Sequence, residues 1–232
     1  MKIFAISDLH LCLSGAKPMD VFGESWANYL DEIKQDWNSK VSCDDVVLMS
    51  GDMSWALKLE EATKDLEYLN SLNGTKIIIR GNHDYWWKSI SKLRNELPAN
   101  IYPLQNDAIK LGDYIIAGTR GWVVPEKNKP QSEEDKKIYD RELIRLELSL
   151  KHAHSLRQNN EKIICMIHFP PFNSSLEVND FTSIIEKYGV SVVVYGHLHG
   201  KASRAVNHAK INGVDYFLTS CDKINNKLVR LY

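Results

Sequence analysis

An α/β fold is predicted for this chain of 232 residues by three observations. Short apolar, β-branched runs recur along its length. Helical segments lie between many of them. The runs are continuously apolar rather than alternating, as in strands buried on both faces. The length suffices for one sizeable domain with a real core. With no internal repeat, low-complexity linker or break in composition, residues 1–232 are expected to form that single domain.

The expected strands are KIFAIS (2–7), DVVLMS (45–50), KIIIR (76–80), YIIAG (114–118), KIICMIH (162–168), VSVVVYG (190–196), DYFLTS (215–220) and KLVRLY (227–232). Helices are expected over 24–37, 57–72, 86–97 and 178–188. The longest runs from about Ser132 to Arg157, where Tyr139, Leu143, Leu146, Leu150 and Ala153 form one apolar stripe at spacings of four and three. Ser132 can cap its start, and Glu133, Glu134 and Asp135 suit its positive first turn. The stretch EKNKPQSEEDKK (126–137) reads as a solvated loop leading into that helix. The closing strands, with AKINGV (209–214) as a turn, are expected to form a second, partly antiparallel sheet.

Composition excludes several classes. The chain is 44% hydrophobic and 25% charged, with 29 basic against 30 acidic residues. It lacks the basic excess that gives sequence-independent affinity for long nucleic acid. No apolar run approaches the length of a membrane span. The opening MKIFAISDLHL has too short an apolar run for a signal peptide, broken by Asp8 and His10, so Met1 is read as the start and the location as cytoplasmic. Cys12, Cys43, Cys165 and Cys221 form no CxxC, which argues against a structural zinc site and a disulfide framework. Cys43 and Cys165, in or beside apolar runs, are expected to be small buried hydrophobes. None of the four has an arginine six positions later, so a cysteine-phosphatase loop is absent.

In an open α/β sheet, ligands bind past the carboxyl ends of the strands. Five strand ends here carry chemistry: Asp8-Leu9-His10, Gly51-Asp52, Gly81-Asn82-His83-Asp84, His168, and Gly196-His197-Leu198-His199. In extended chain, residues i and i+2 point the same way, so DxH and HxH each aim two ligands at one place, with Leu9 and Leu198 turned into the core. Gly51, Gly81 and Gly196 permit tight turns and close backbone approach. The donors are oxygen and neutral nitrogen, with no thiolate. They suit Mn²⁺, Fe, Zn²⁺, Co²⁺ or Ni²⁺ better than an all-oxygen Ca²⁺ or Mg²⁺ cage. The candidate ligands are too many for one tetrahedral ion and a reasonable number for two. Two divalent ions balanced by Asp8, Asp52 and a bridging hydroxide leave positive charge for an anionic phosphoryl group. A pair of ions roughly 3.5–4 Å apart can hold both oxygens of a phosphoryl transfer.

The ordered pattern DxH, GD, GNHD, H, GHxH resembles the calcineurin-like metallophosphoesterase family, over residues 8–199. GDMSWAL, GNHDYWW and GTRGW further resemble a bacterial subgroup of predicted phosphohydrolases. The resemblance implies a four-layer α/β/β/α sandwich: two mixed sheets flanked by helices, with a dinuclear centre of Mn, Fe or Zn. It implies that Asp8, His10 and His199 hold the first metal, that Asp52 bridges, and that Asn82, His168 and His197 hold the second. A metal-bridging hydroxide would attack phosphorus in line. Asn82 would also touch the substrate phosphate, His83 would protonate the leaving oxygen as general acid, and Asp84 would fix the His83 ring. The substrate would be a phosphorylated small molecule or nucleotide, as monoester or diester. A catalytically silent metal-binding scaffold of the same fold is the alternative.

Other residues carry weaker signals. Arg120, after YIIAG, can reach a substrate phosphate or make a surface salt bridge. Trp55, Trp86, Trp87 and Trp122 fall in or just after motif segments. Packing at a helix start is the better reading for Trp86 and Trp87, while for Trp122 a substrate-stacking role stands level with packing. His152, His154 and His208 read as surface residues. The loops around 12–24 and 119–132 carry no readable specificity code.

Overall fold

The computed structural model describes residues 1–15, 17–129, 131–200 and 205–232. The first sheet contains β1 (Ile3–Ala5), β2 (Val46–Met49), β3 (Thr75–Ile78) and β4 (Ile101–Pro103), mutually parallel, with β11 (Val229–Arg230) antiparallel beside β1. The second has the order β5 (Ala108–Leu111), β6 (Tyr114–Thr119), β7 (Lys162–Ile167), β8 (Val190–Tyr195), β10 (Val214–Leu218), β9 (His208–Ile211). Its four central strands are parallel and its two edge strands antiparallel.

The sheets face each other, and each strand divides its side chains between two cores. Ile3, Ala5, Val46, Leu48, Ile77 and Ile79 of the first sheet meet Ile116, Ile164, Met166, Val192 and Val194 of the second. The intervening residues Phe4, Val47, Met49 and Ile78 turn outward, to a core shared with α1 (Tyr29–Lys40), α2 (Thr63–Ser71) and α3 (Ile90–Glu96). Ile115, Ala117, Ile163, Cys165 and Val193 turn outward to α4 (Glu133–Leu156) and α5 (Asp180–Lys187). The result is the expected α/β/β/α sandwich, and double burial explains the unbroken apolar runs. The Ser132 cap forms as read, its hydroxyl accepting from Asp135 N.

Several elements differ from the sequence reading. KLVRLY does not extend the second sheet; Phe4 pairs with Arg230 and Ala5 with Val229 in the first. AKINGV is not all turn. Its first residues lie in β9, and Asn212-Gly213, with φ of 49° and 87°, make the reversal into β10, as a two-residue hairpin demands. Strands β4, β5 and β9 were not anticipated. Residues 24–26 form a 3₁₀ turn rather than the start of α1. Cys43 is exposed, whereas Cys165 and Cys221 are buried; all four cysteines are free. His152 is more than a solvated side chain, since its Nδ1 accepts from Ala108 N at 3.1 Å. Of the stretch 126–137, Pro130 lies outside the described residues.

Lys76, in β3, is fully buried, and its ammonium donates to the carbonyls of Leu72 and Gly74 below the end of α2. Burial pulls it from 10.5 down to about 8. Between those values the folded state binds fewer protons than the unfolded chain, so this group makes stability rise with pH across that window. Relative to Lys76→Met, wild-type stability should gain up to about 3 kcal/mol from pH 8 to pH 10.5. Urea unfolding of both proteins across that range reads the difference directly. Two parallel curves would show that Lys76 keeps its ordinary affinity for the proton.

Candidate metal centre

The carboxyl ends of β1, β2 and β3 from one sheet, and of β7 and β8 from the other, meet at one edge of the sandwich. Backbone bonds knit these ends together: Asp8 N donates to Gly51 O, His10 N to Asp52 O, and Gly196 N to His168 O. Asp8, His10, Asp52 and His197 all sit in the left-handed region, with φ of 58°, 46°, 54° and 71°. Each such non-glycine residue costs on the order of 1 kcal/mol or more, and surrounding structure must hold it. The turns are tight enough to require glycine nearby. A Cβ on Gly81 would lie 2.0 Å from Asp52 Oδ1, and one on Gly196 would lie 2.2 Å from Asp8 Oδ2.

The seven ligand candidates converge in two groups. In the first, Asp8, His10 and His199 can offer three donor atoms to one point. His10 Nε2 lies 3.2 Å from His199 Nε2, which lies 3.2 Å from Asp8 Oδ1. The other oxygen of Asp8 is anchored by the hydroxyls of Ser7 and Ser220, and His197 N donates to both oxygens. In the second group, Asn82 Oδ1 lies 2.7 Å from His168 Nε2 and 2.8 Å from His197 Nδ1. Asp52 stands between the groups: its Oδ2 is 3.8 Å from His10 Nε2 and 3.4 Å from His168 Nε2. Asp52 Oδ1 is occupied by His83 N at 2.8 Å.

The donor chemistry fits cations. His168 Nδ1 is committed to the Ser50 carbonyl at 2.8 Å, so its Nε2 must face the Asn82 carbonyl oxygen and the Asp52 carboxylate. A bare imidazole lone pair would be repelled there; a cation shared by all three resolves the conflict. The electrostatics agree. Burial favours protonated carboxyls, yet His199 holds Asp8, and His168 holds Asp52, below the usual range. Burial opposes charge on His168 too, but Asp52 and Asp8 push it up to about 9. His199 is carried against burial to about 10 by Asp222 and Asp8. Burial takes His10 and His197 down to about 4. Oxygen and imidazole donors without thiolate suit first-row transition ions.

The family model for calcineurin-like phosphoesterases matches residues 1–201, a span that contains all seven ligand candidates. The chain belongs to the calcineurin-like phosphoesterase family. Two solved structures are similar over nearly all of both chains. One is a protein of unknown function, AQ665, from Aquifex aeolicus: 14% identity, 99% of this chain and 95% of that chain, TM-score 0.53. The other is TT1561 of Thermus thermophilus: 12% identity, 98% and 96%, TM-score 0.57. At these identities the likeness shows the fold. No curated protein matches.

The surroundings of this site correct one expectation. Asp84 does not fix the His83 ring. Its buried carboxylate accepts instead from Asp52 N, Met53 N, Ser54 N, Gly81 N and the Trp86 indole, at 2.8 to 3.3 Å. A short side chain in a tight turn finds backbone N–H groups closer than its neighbour's ring. His83 is oriented by packing: its ring lies 4.6 Å from Trp55 and 5.5 Å from His10, and makes no hydrogen bond among the described residues. Arg120 lies beside His168 through its backbone, whose carbonyl accepts from His168 N, but its side chain turns to Glu142, 3.8 Å away, and lies over Trp122.

The aromatics divide. Trp86 and Trp87 are buried, as packing required. Trp122 packs on Phe169, 5.1 Å away, and donates to Asp135. Trp55 stacks on His10 at 4.7 Å, and Trp26 lies 5.7 Å from His199, so these two wall the first group.

One residue escaped the sequence reading. Asp222, in the 3₁₀ turn after β10, accepts from His199 Nδ1 at 2.9 Å and from Gly200 N at 2.8 Å. It fixes the tautomer that turns Nε2 toward Asp8. Asp222→Asn is expected to weaken divalent-ion binding about 10- to 100-fold, the usual cost of losing such a partner. Titration of Mn²⁺ or Zn²⁺ into the stripped proteins measures this; equal affinities would make the contact incidental.

Proposed function

We propose that this member of the family hydrolyses phosphomonoesters or phosphodiesters with two bound transition-metal ions. Asp8, His10 and His199 would hold one ion, Asn82, His168 and His197 the other, and Asp52 Oδ2 would bridge. Mn, Fe and Zn are the foremost candidates. Bound ions of this kind compensate phosphoryl charge and activate water for attack at neutral pH.

The observation that carries the reading is one edge where seven oxygen and nitrogen donors from two sheets converge while the ring of a further histidine, His83, makes no hydrogen bond among the described residues. The protein's own residues supply the rest. The Asn82 carbonyl oxygen faces the two histidines, and its amide nitrogen, without an acceptor among the described residues, would meet a phosphoryl oxygen. His83, beside Asp52 and held against Trp55, is placed to give a proton to the departing oxygen. Trp26 and Trp55 shield the first group from water on one side.

The test uses protein stripped of metal, with Mn²⁺, Fe²⁺ or Zn²⁺ restored separately, and a matched pair of aryl phosphates, one monoester and one diester. Turnover that is absent in chelator and returns with at least one ion is expected. Stoichiometric metal binding without turnover of either ester would replace the hydrolase by a metal-holding scaffold.

A further inference from the structure

A second charged cluster lies beside the metal centre, at the carboxyl ends of β3 and β6. A cavity of about 230 Å³ there is lined by Arg80, Arg120, Arg141 and Arg145, with Glu142 as the single carboxylate. Glu142 is fully buried and already engaged, 2.6 Å from Arg145 and 3.8 Å from Arg120. Four guanidinium groups against one carboxylate leave three positive charges. The side chains of Arg80 and Arg141 make no hydrogen bond or ion pair among the described residues. The Nε of Arg80 is buried without a partner, an arrangement that costs free energy unless something accepts from it.

The remaining lining also offers donors. Gln105 Oε1 is taken by the Trp87 indole at 2.8 Å, and Asn106 Oδ1 by the Thr119 hydroxyl at 2.9 Å. Neither side-chain NH₂ group has an acceptor among the described residues. Crowding of like charge is felt within the cluster: burial first, and then Arg80, Arg141 and Arg145, lower the proton affinity of Arg120, with Glu142 opposing. A concave site of converging guanidinium and amide donors attracts an oxyanion, and the planar fork of arginine matches phosphate oxygens. Three residual charges suit a phosphate dianion better than a single carboxylate.

The end of β3 serves both sites, and the end of β6 adjoins the centre through His168. Arg80 stands two residues before Asn82, and the carbonyl of Arg120 accepts from His168 N at 3.0 Å. We propose that this cavity holds a second, non-reacting phosphate of the substrate, so that the preferred substrates are phosphoesters bearing a further phosphate group. The assignment rests on the phosphoester reading of the adjoining centre.

Binding, rather than turnover, tests it. The metal-loaded full chain is titrated calorimetrically with two pairs of ligands differing by one phosphate: a nucleoside 5′-monophosphate against its 3′,5′-bisphosphate, and a hexose 6-phosphate against the 1,6-bisphosphate. At least one bisphosphate should bind ~10-fold or more tightly than its partner, the effect of one charge-assisted contact. That ratio should fall toward one in both Arg80→Gln and Arg141→Gln. Arg141 is exposed on α4, so its variant keeps the fold even if Arg80→Gln does not. No preference in either pair, or a preference unchanged in Arg141→Gln, overturns the proposal. Failure of the phosphoester reading shows separately, as absence of aryl phosphate turnover, and leaves these binding ratios to decide the cavity's role.

Discussion

Asp84→Ala should cost about 3–5 kcal/mol of stability and abolish metal binding together. Losing the carboxylate strands four backbone N–H groups and one indole N–H in a fully buried place. Each buried donor left unsatisfied costs about 1–3 kcal/mol, reduced where water enters the space created. Three of the donors, Asp52 N, Met53 N and Ser54 N, belong to the turn after β2; Gly81 N belongs to the turn after β3. Asp84 is therefore the clamp that sets Asp52 against Asn82. Asp84→Asn separates the two effects, because it fills the space but turns an NH₂ toward N–H groups. Urea midpoints and calorimetric metal titration of both variants read the result. A stable Asp84→Ala protein with wild-type metal affinity would show that the two turns hold themselves.

His83→Ala should lower kcat about 10²- to 10⁴-fold for esters of alkyl alcohols, the range expected when a positioned general acid is removed. Metal stoichiometry should stay at the wild-type value, since no ligand group includes His83. The loss should shrink steeply as the leaving group becomes more acidic, because a nitrophenolate departs without a proton. A series of aryl and alkyl esters therefore distinguishes roles. A loss that is uniform across leaving groups would assign His83 to charge stabilisation, and a loss of metal would make it a ligand.

Most of the centre was legible because its donors occur at strand ends, in short sequence-adjacent pairs. Extended chain would send i and i+2 the same way, but Asp8, His10 and His197 are left-handed; Asp8 and His10 still meet in the first group, whereas His197 joins the second and His199 the first. Asp222 was not legible in that way. It belongs to no pair and meets His199 across a gap of 23 positions. The available signal was its place two residues after the apolar run DYFLTS, just past a strand end like the others. The role of Asp84 was misread because adjacency to His83 suggested a side-chain contact, whereas turn geometry offers backbone donors first. In the fold, the central strands stood out through double burial. β4, β5 and β9 did not: each has three or four residues and lies at a sheet edge, with partly exposed side chains and, in β4, Pro103. Edge strands carry weak patterns because only part of their surface is buried.

The division of the ligands between two sheets also sets when the centre can come into being. His10 and His199 are 189 positions apart. At roughly 5–20 residues per second, a ribosome needs about 10–40 seconds to travel from one to the other. Until His168 is made, the emerging amino-terminal part displays Asp8, Asp52 and Asn82 with only His10 as an imidazole candidate. The three histidines of the second sheet come last, and the Asp222 that steadies one of them comes later still. Assembly of the full set of ligand candidates thus waits until nearly the whole chain has been made.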